Sequence, residues 1–195
     1  MRVLIFGSDG FLGSNFASNF EQCGFHVFPV NRSVFAFGEG HEQVRLGNII
    51  EDFSPNLIVN ALGQIDGQVG ATPVSIFASV FLPTFSLFNY FQTAEVSQQT
   101  TILTFGSEAE GQPRKNYPIY SALKTAEATL ILTANEYFAD TNLRWLRLKL
   151  PRLVGGLGLA GVSDLKLSDG AGFEFVWREA RLVLGLNKNF GEVDD

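Results

Sequence analysis

Residues 3–13 read VLIFGSDGFLG, an apolar run that passes directly into three glycines at intervals of three residues. The run at residues 3–6 is short and rich in branched and aromatic side chains, which is typical of a strand buried on both faces of a parallel sheet. A helical pattern starts at Phe11, among the glycines. A strand, a glycine turn and a helix in this order predict the first βα unit of an α/β fold.

The rest of the chain repeats this alternation of apolar runs and helical segments. Further parallel strands are predicted at residues 57–59, 102–105 and 146–150, with a weaker candidate at residues 26–30 because it contains Pro29. Helices are predicted at residues 11–23, 74–94, 119–137 and 173–184. The whole chain, residues 1–195, is therefore expected to form a single domain built on a Rossmann-like, doubly wound parallel sheet.

Composition excludes several classes of function. Apolar residues make up 46% of the 195 residues and charged residues 17%, so the chain can build a large core. The net charge of −6 and the pI near 4.9 argue against binding to nucleic acid or to anionic membranes. One cysteine and two histidines predict no disulfide framework and no metal site. Since the chain has no apolar run of ~20 residues and no signal-peptide core, a soluble cytoplasmic protein is expected.

The glycine turn is suited to binding phosphate. Glycines let a pyrophosphate approach the backbone, and the amino end of the following helix presents unpaired N–H groups to its negative charge. We therefore predict that the turn binds the diphosphate of a dinucleotide. The alternative is a strand–helix turn that binds nothing. The predicted contacts come from Gly7, Asp9, Gly10, Phe11, Leu12 and Gly13.

The end of the second predicted strand is expected to contact the adenosine ribose. An acidic residue at this place would bind both ribose hydroxyls of NAD, but the chain has Asn31, followed by Arg32 and Ser33. The missing carboxylate removes a repulsion, and a guanidinium with a hydroxyl suits a 2′-phosphate. The pattern favours NADP over NAD, the alternative being that Arg32 is a solvated loop charge.

Tyr120 and Lys124 lie four residues apart, on one face of a predicted helix. A phenol exchanges protons poorly at neutral pH, and a nearby ammonium helps it by stabilising the phenolate. Ser107 follows the strand predicted at residues 102–105, where its hydroxyl can hold a substrate carbonyl against that phenol. Ser107, Tyr120 and Lys124 are therefore the predicted catalytic residues.

Together these motifs resemble the short-chain dehydrogenase/reductase superfamily over about residues 1–156. The glycine spacing matches the extended and atypical branches of that superfamily. Residues 106–109 (GSEA), Tyr120 and Lys124 match its catalytic strand, loop and helix. Within it, residues 6–13 and 55–61 look most like dTDP-4-dehydrorhamnose reductases and other sugar-nucleotide enzymes.

The resemblance also adds cofactor-binding residues. Residues 60–63 (NALG) resemble the motif that lines the cofactor after the fourth strand of family members. Residues 47–49 (GNI) resemble a motif beside the adenine, and residues 151–155 (PRLVG) resemble the loop at the nicotinamide. The residues added in this way are Asn48, Ile49, Ala61, Leu62, Gly63 and Pro151.

The resemblance implies a reductase or dehydrogenase that acts on a small carbonyl or alcohol. Tyr120 would donate a proton to the carbonyl while the nicotinamide delivers hydride, Lys124 would hold the nicotinamide ribose, and Ser107 would orient the carbonyl. Homodimers or homotetramers are the assemblies that the family implies. These expectations place Tyr120 and Lys124 in the cofactor site as well as among the catalytic residues.

Two departures from the family pattern leave other functions open. Val80 stands where many members have an asparagine that supports a proton relay, and residues 152–195 offer a short loop and helix where sugar-nucleotide members add a substrate domain. The six glycines in residues 154–172 predict a loop beside the ligand. One alternative is a dinucleotide-binding sensor or scaffold without hydride transfer. The other is a sugar-nucleotide epimerase or dehydratase.

Two further groups of side chains complete the predictions. Phe77, Phe81, Phe85 and Phe88 form one stripe along a predicted helix, which indicates either a dimer surface or packing on the sheet. The acidic side chains of the loop after Ser107 have no partner at a defined spacing and are interpreted as solvated. These acidic residues are Glu108 and Glu110.

Overall fold

The computed structural model describes residues 1–38, 42–112, 114–151 and 172–186. In this part of the chain, strands and helices alternate from one end to the other. The strands are β1 (Arg2–Phe6), β2 (His26–Val30), β3 (Leu57–Asn60), β4 (Thr100–Ser107) and β5 (Leu143–Leu150). The helices are α1 (Phe11–Gln22), α2 (Glu42–Phe53), α3 (Pro73–Val80), α4 (Leu82–Phe91), α5 (Pro118–Tyr137) and α6 (Phe173–Leu184).

All neighbouring strands are parallel, and they lie in the order β2-β1-β3-β4-β5. Successive side chains of a strand point to opposite faces, so Leu4 and Phe6 enter one core while Val3 and Ile5 enter another. Helices α2, α4 and α5 cover the first face, and α1 and α6 cover the second. The predicted Rossmann-like, doubly wound parallel sheet is confirmed.

The structure shows how β2 accommodates its proline. β2 lies at the edge of the sheet and pairs only with β1, where Pro29 stands opposite Ile5. The side chain of Pro29 is exposed. An edge strand forms ladder hydrogen bonds on one side only, so a missing N–H group is tolerated there.

Helix α2 is absent from the predicted elements. Its buried residues Leu46, Ile50 and Phe53 recur at helical spacing on one face. Gly47 in its interior weakens the helical signal, because glycine is a poor helix former. The helix forms because tertiary packing of that apolar face outweighs the weak local preference.

The helix predicted at residues 74–94 is in fact two helices, α3 and α4, bent by 42° at a break around Phe81. Pro83 explains the break, since a proline inside a helix lacks the N–H donor and its ring clashes with the preceding turn. Thr72 fixes the start of α3: Ser75 N donates to Thr72 Oγ1 at 3.1 Å, and Thr72 N donates to Ser75 Oγ at 2.9 Å.

The bend divides the aromatic stripe. Phe88 packs on the core beside Phe138, with ring centroids 5.6 Å apart. Phe77 and Phe85 stay 40% and 44% exposed, and the ring of Phe81 lies between them. Phe88 thus packs on the core, at the end of α5, and a subunit contact through the other rings stays a prediction.

No single helix in the described residues is both long and apolar enough to cross a membrane. Helices α3 and α4 reach the required length and composition only as a bent pair. Both helices pack in the fold, with Ile76, Val80, Leu87 and Phe91 among their buried residues.

Candidate functional site

The carboxyl ends of β1, β3 and β4 meet at one edge of the sheet, because these strands are adjacent and parallel. Phe6 pairs with Asn60, and Asn60 pairs with Thr104. The chain runs from β1 to β2 on one side and then crosses to β3 on the other side, so the topological switch point lies between β1 and β3. Open α/β sheets bind ligands in the crevice at such a point.

The glycine turn, residues 7–13, closes this crevice from the β1 side. Gly7 has φ +79°, and a Cβ on it would lie 3.1 Å from the carbonyl carbon of Ala61. A Cβ on Gly13 would lie 2.1 Å from the carbonyl oxygen of Gly7, which no packing allows. Gly10 caps α1 without a side-chain hydrogen bond. The backbone of the turn is thus tightly packed, and no N-cap side chain hydrogen-bonds to the first amides of α1.

Residues that follow β3 and β2 lie next to this turn. Ala61 N donates to Phe6 O at 3.0 Å, and Leu62 contacts the Gly7 position. Gly7 N in turn donates to Val30 O at 3.0 Å, which ties the turn to the end of β2. The structure therefore brings the predicted phosphate turn together with residues 61–62 and with the start of the segment 31–33.

Segment 31–33 forms a tight loop at the end of β2. Asn31 Oδ1 accepts hydrogen bonds from Ser33 N at 3.0 Å, Ser33 Oγ at 2.6 Å and Val34 N at 3.2 Å. The amide oxygen of Asn31 is therefore occupied by its own loop, as in an Asx turn. Arg32 and Ser33 are exposed.

The expected position of Asn48 and Ile49 needs a correction. The resemblance puts them in a motif beside the adenine, but the structure places both in the interior of α2. Asn48 is exposed, and the neighbouring Gly47 packs against the ring of Tyr90, where a Cβ would lie 3.2 Å from Cε2. The described residues 42–56 lead from α2 directly into β3, so no strand end positions the motif at the crevice.

The predicted catalytic residues lie at the end of β4 and on the helix that follows it. Ser107 is the last residue of β4, and its Oγ accepts a hydrogen bond from Ala109 N at 3.1 Å. Tyr120 lies in the first turn of α5, half-buried, and Lys124 lies one turn further. Pro151 follows Leu150, which pairs with Ser107 in the sheet. The order of elements thus places all four residues at the same edge.

An ion pair holds the loop after Ser107, and it corrects one prediction. Glu110 is expected to be solvated, but its side chain is only 8% exposed and pairs with Arg147 of β5. Glu110 Oε1 also accepts a hydrogen bond from Ser107 N at 2.5 Å. Burial lowers the pKa of Arg147. Glu108 is exposed, as predicted.

The signal that could have revealed this pair lies in β5. Arg147 follows Leu143 and Trp145 on one face of β5 and is still partly buried, and a cation that a strand carries into the protein needs an acidic partner. The sequence does not say which carboxylate that is, because the partner comes from another loop.

Asp66, like Arg147, is a residue beside the site that the sequence motifs did not indicate. Its Oδ2 accepts a hydrogen bond from Tyr120 N at 2.9 Å. The N-cap residue of α5, Tyr117, makes no side-chain cap of its own. A carboxylate at this helix end satisfies a free N–H group and meets the positive end of the helix dipole. Asp66 therefore ties the segment after β3 to the first turn of α5, directly at Tyr120.

Lys124, which the resemblance places at the nicotinamide ribose, is buried and already has two hydrogen-bond partners. The residue is 4% exposed, and its Nζ donates to Phe105 O at 2.8 Å and to Glu127 Oε2 at 2.6 Å. Val80 is fully buried in α3 and offers no polar group near it. In the described residues, no three acidic, histidine or cysteine side chains come together as a metal site.

The last part of the chain is described only in α6. The helix predicted at residues 173–184 is confirmed as α6, and Phe173 and Trp177 pack against Phe16 of α1. The predicted glycine-rich loop at residues 154–172 lies outside the described residues except for Gly172. Most of the predicted substrate-side region, residues 152–195, also lies outside them, namely residues 152–171 and 187–195.

No protein-family model matches this chain, and no curated protein sequence matches it significantly. Solved structures share its fold. The 3-alpha-hydroxysteroid dehydrogenase from Pseudomonas sp. B-0831, complexed with NADH, is 16% identical with a TM-score of 0.67, covering 78% of this chain and 73% of that one. The bulky-bulky ketone specific alcohol dehydrogenase from Comamonas testosteroni is 13% identical with a TM-score of 0.68, covering 100% and 96%. 

A third similar structure is a UDP-rhamnose synthase from Acanthamoeba polyphaga mimivirus, 19% identical with a TM-score of 0.56, covering 79% of this chain and 57% of that one. At such identities the likeness establishes the fold, a doubly wound Rossmann-type sheet. What the protein does must be argued from its site.

Proposed function

We propose that the protein is a nicotinamide-dependent oxidoreductase that interconverts a carbonyl and an alcohol. The observation that carries the proposal is the composition of one sheet edge. The glycine turn, residues 61–62 and Ser107 follow three adjacent strands, and the helix with Tyr120 and Lys124 begins beside them. A phosphate-binding turn and an acid–base group at one switch point are what hydride transfer to a carbonyl requires.

The glycine turn fits a dinucleotide diphosphate. Gly13 leaves no room for a Cβ, and Gly7 leaves only a tight space and has φ +79°, so the backbone itself forms the wall that a phosphate would meet. Gly10 adds no side chain at the amino end of α1. The N–H groups of Phe11, Leu12 and Gly13 would then bind phosphate oxygens at the positive end of the helix dipole.

NADP is the proposed cofactor, with NAD as the weaker candidate. Asn31 Oδ1 is already used within its loop, so this oxygen is not free to accept from a pair of ribose hydroxyls as a carboxylate would be. Arg32 and Ser33 are exposed at the end of β2, beside the glycine turn. The guanidinium suits a 2′-phosphate, and the Ser33 hydroxyl would donate to it by turning away from Asn31 Oδ1, which accepts its hydrogen in this structure.

When bound, the nicotinamide supplies hydride for reduction or accepts it for oxidation. In the direction of reduction, the Tyr120 hydroxyl donates a proton to the carbonyl oxygen. The Ser107 hydroxyl, whose oxygen already accepts from Ala109 N, has its hydrogen left to donate to the same carbonyl oxygen. The Lys124 ammonium favours the phenolate that remains. The proposed substrate is a small carbonyl or alcohol, and a sugar nucleotide is a candidate within that class.

A cofactor screen combined with Tyr120→Phe tests this function. NADPH should raise the melting temperature of the wild type more than NADH does, since a ligand at 100 times its Kd adds about 2.7 kcal/mol of stability. Tyr120→Phe should keep that shift and lose turnover of a responsive carbonyl by about 10²–10⁴-fold, because it removes only the proton donor.

Tyr137→Phe is the matched control, because Tyr137 lies at the other end of α5 and is 57% exposed. Its turnover should equal that of the wild type. Absence of any shift with NADPH or NADH would refute the proposed cofactor site. Loss of cofactor binding in a natively folded Tyr120→Phe would refute the separate role of the tyrosine.

A nucleotide-binding sensor or scaffold without hydride transfer is the second candidate. The engagement of Lys124 with Phe105 O and Glu127 favours it, because these bonds draw the ammonium into the protein. Tight NADPH binding without turnover across a panel of ketones, aldehydes and oxidised sugar nucleotides would select this candidate.

A further inference from the structure

A chain of buried polar groups runs through the core below the candidate site. Asn60 Nδ2 donates to Thr84 Oγ1 at 3.2 Å, Thr84 Oγ1 donates to Glu127 Oε1 at 2.7 Å, and Lys124 Nζ donates to Glu127 Oε2 at 2.6 Å. The four residues are 3%, 0%, 1% and 4% exposed in the order Asn60, Thr84, Glu127 and Lys124. The chain therefore connects β3, α4 and α5 without contact with solvent.

Stability alone is a weak reason for such a chain. Two charges lose their hydration when they enter a core, and apolar side chains of the same volume often give equal or greater stability. What a buried ion pair with every partner in place does provide is a fixed geometry. Here both oxygens of Glu127 accept a hydrogen bond, so the carboxylate has one orientation.

The fixed carboxylate of Glu127, together with Phe105 O, leaves the Lys124 ammonium with one N–H group that has no acceptor in the buried chain. An ammonium group has three hydrogens. Phe105 O and Glu127 Oε2 receive two of them, which leaves one N–H group for a ligand. The rotation of the ammonium is thus fixed before any ligand arrives.

The other end of the chain reaches the residue beside the glycine turn. Asn60 Oδ1 accepts a hydrogen bond from Leu62 N at 3.3 Å, and Leu62 contacts the Gly7 position of the glycine turn. The turn itself is held by backbone bonds, since Gly7 N donates to Val30 O and Ala61 N donates to Phe6 O. The last member of the buried chain is an amide, which neither releases nor takes up protons, so the chain positions groups and does not conduct protons.

We propose that Glu127 and Thr84 are positioning residues that aim the third N–H group of Lys124 at the ribose on the nicotinamide side of the bound cofactor. This inference rests on the proposed function. Thr84 lies four residues after Val80, the position at which an asparagine is expected from the resemblance and which is apolar here. The hydroxyl and the carboxylate supply the polar support that Val80 lacks.

Thr84→Val is the variant that tests the inference with the least damage. It removes one hydroxyl from the chain and keeps the shape of the side chain. Thr104→Val is the matched control, since Thr104 is equally buried and, among the described residues, its hydroxyl bonds only to the backbone carbonyl of Leu146 at 3.3 Å. Glu127→Gln is the stronger variant, because it removes the charge that faces Lys124.

Affinity is measured for NADPH and, separately, for adenosine 2′,5′-bisphosphate, which lacks the nicotinamide ribose; NADH and ADP serve as the pair if NADH proves to be the cofactor. Thr84→Val should weaken the whole cofactor about threefold, and Glu127→Gln about tenfold or more. Both should bind the adenosine fragment within about twofold of the wild type, since a mispositioned Lys124 affects only the ribose contact. Thr104→Val should change neither affinity.

Equal weakening of the cofactor and its fragment would overturn the positioning role, because general damage to the fold acts on both. Unchanged cofactor affinity in folded Thr84→Val and Glu127→Gln would overturn it as well. Circular dichroism establishes folding, and if Glu127→Gln does not fold, Thr84→Val alone decides.

A second readout separates this inference from the proposed function. Two-dimensional ¹H–¹⁵N spectra that select lysine ammonium groups should show Lys124 as a slowly exchanging signal, assigned by its loss in Lys124→Met. The signal should broaden in Thr84→Val and stay unchanged in Thr104→Val. A wild type that binds no nicotinamide cofactor refutes the proposed function and the ribose contact, while a signal unaffected by Thr84→Val refutes the positioning of the ammonium.

Discussion

The glycine turn (residues 7–13) and the Ser107 loop (residues 107–112) lie at the same edge of the sheet, but different forces hold them. The turn is held by steric fit: Gly13 lies against the carbonyl of Gly7, and Gly7 lies against Ala61. The Ser107 loop is held by charge, through Glu110 and Arg147. The glycine turn should tolerate changes of charge but lose stability when side-chain volume is added. The Ser107 loop should tolerate added volume but lose stability when a charge is removed.

The largest effect is expected at Gly13. In Gly13→Ala the new Cβ would lie 2.1 Å from Gly7 O, so α1 must move away from the turn. Alanine gains about 1 kcal/mol over glycine in a helix, but the overlap with backbone should cost about 3 kcal/mol or more. Urea unfolding should therefore show a net loss of about 2 kcal/mol or more.

Gly63→Ala is the control for this steric argument. Gly63 belongs to the same edge, has no positive φ and has no atom within 4 Å of the Cβ position. Its free energy of unfolding should stay within about 0.5 kcal/mol of the wild type. A Gly13→Ala protein as stable as Gly63→Ala would show that the turn is not held by close packing.

Glu110→Gln tests the Ser107 loop and should lower the stability less than Gly13→Ala does. The substitution keeps an oxygen for Ser107 N and removes the partner of Arg147, whose side chain is 21% exposed. Breaking a fully buried pair costs about 3–5 kcal/mol, and partial exposure should reduce this to about 1–2 kcal/mol. The stability difference should shrink in the background of Arg147→Met, where no uncompensated charge remains.

Glu108→Gln serves as its control, since Glu108 lies in the same loop and is exposed. It should change the free energy of unfolding by less than about 0.5 kcal/mol. Equal effects of Glu108→Gln and Glu110→Gln would mean that the ion pair with Arg147 does not hold the Ser107 loop.

The same contrast explains how much the sequence could predict. The glycine turn, five strands and α6 follow from patterns within a few residues, which a sequence displays directly. The position of Asn48 inside α2 and the partner of Glu110 depend on side chains that only the fold brings together. The interpretation of Glu110 as solvated was wrong because its cation comes from β5, after a whole helix.

Tyr120 and Lys124 show both what the sequence could predict and what it could not. The spacing of Tyr120 and Lys124 is local and could be read as one helix face. That Lys124 pairs with a buried Glu127 could not be decided from the spacing, since i,i+3 spacing places two side chains together without showing whether that face is buried. Phe105 O of β4, which accepts from Lys124, and Thr84 of α4, which donates to Glu127, hold the pair in the core.

The smallest effect is expected at Asp66, which lies after β3 and accepts a hydrogen bond from Tyr120 N. Asp66→Ala removes the acceptor of Tyr120 N and a negative charge from the amino end of α5, and should cost about 1 kcal/mol. Asp66→Asn keeps an oxygen acceptor and should lose less stability than Asp66→Ala. Its remaining loss comes from the missing charge at the helix dipole, so this loss should shrink as the salt concentration rises. Asp140→Asn, at an exposed position after α5, should leave stability unchanged in urea unfolding. If Asp66→Ala also unfolds like the wild type at low salt, this contact does not hold the first turn of α5, and the orientation of Tyr120 must depend on other contacts of the helix.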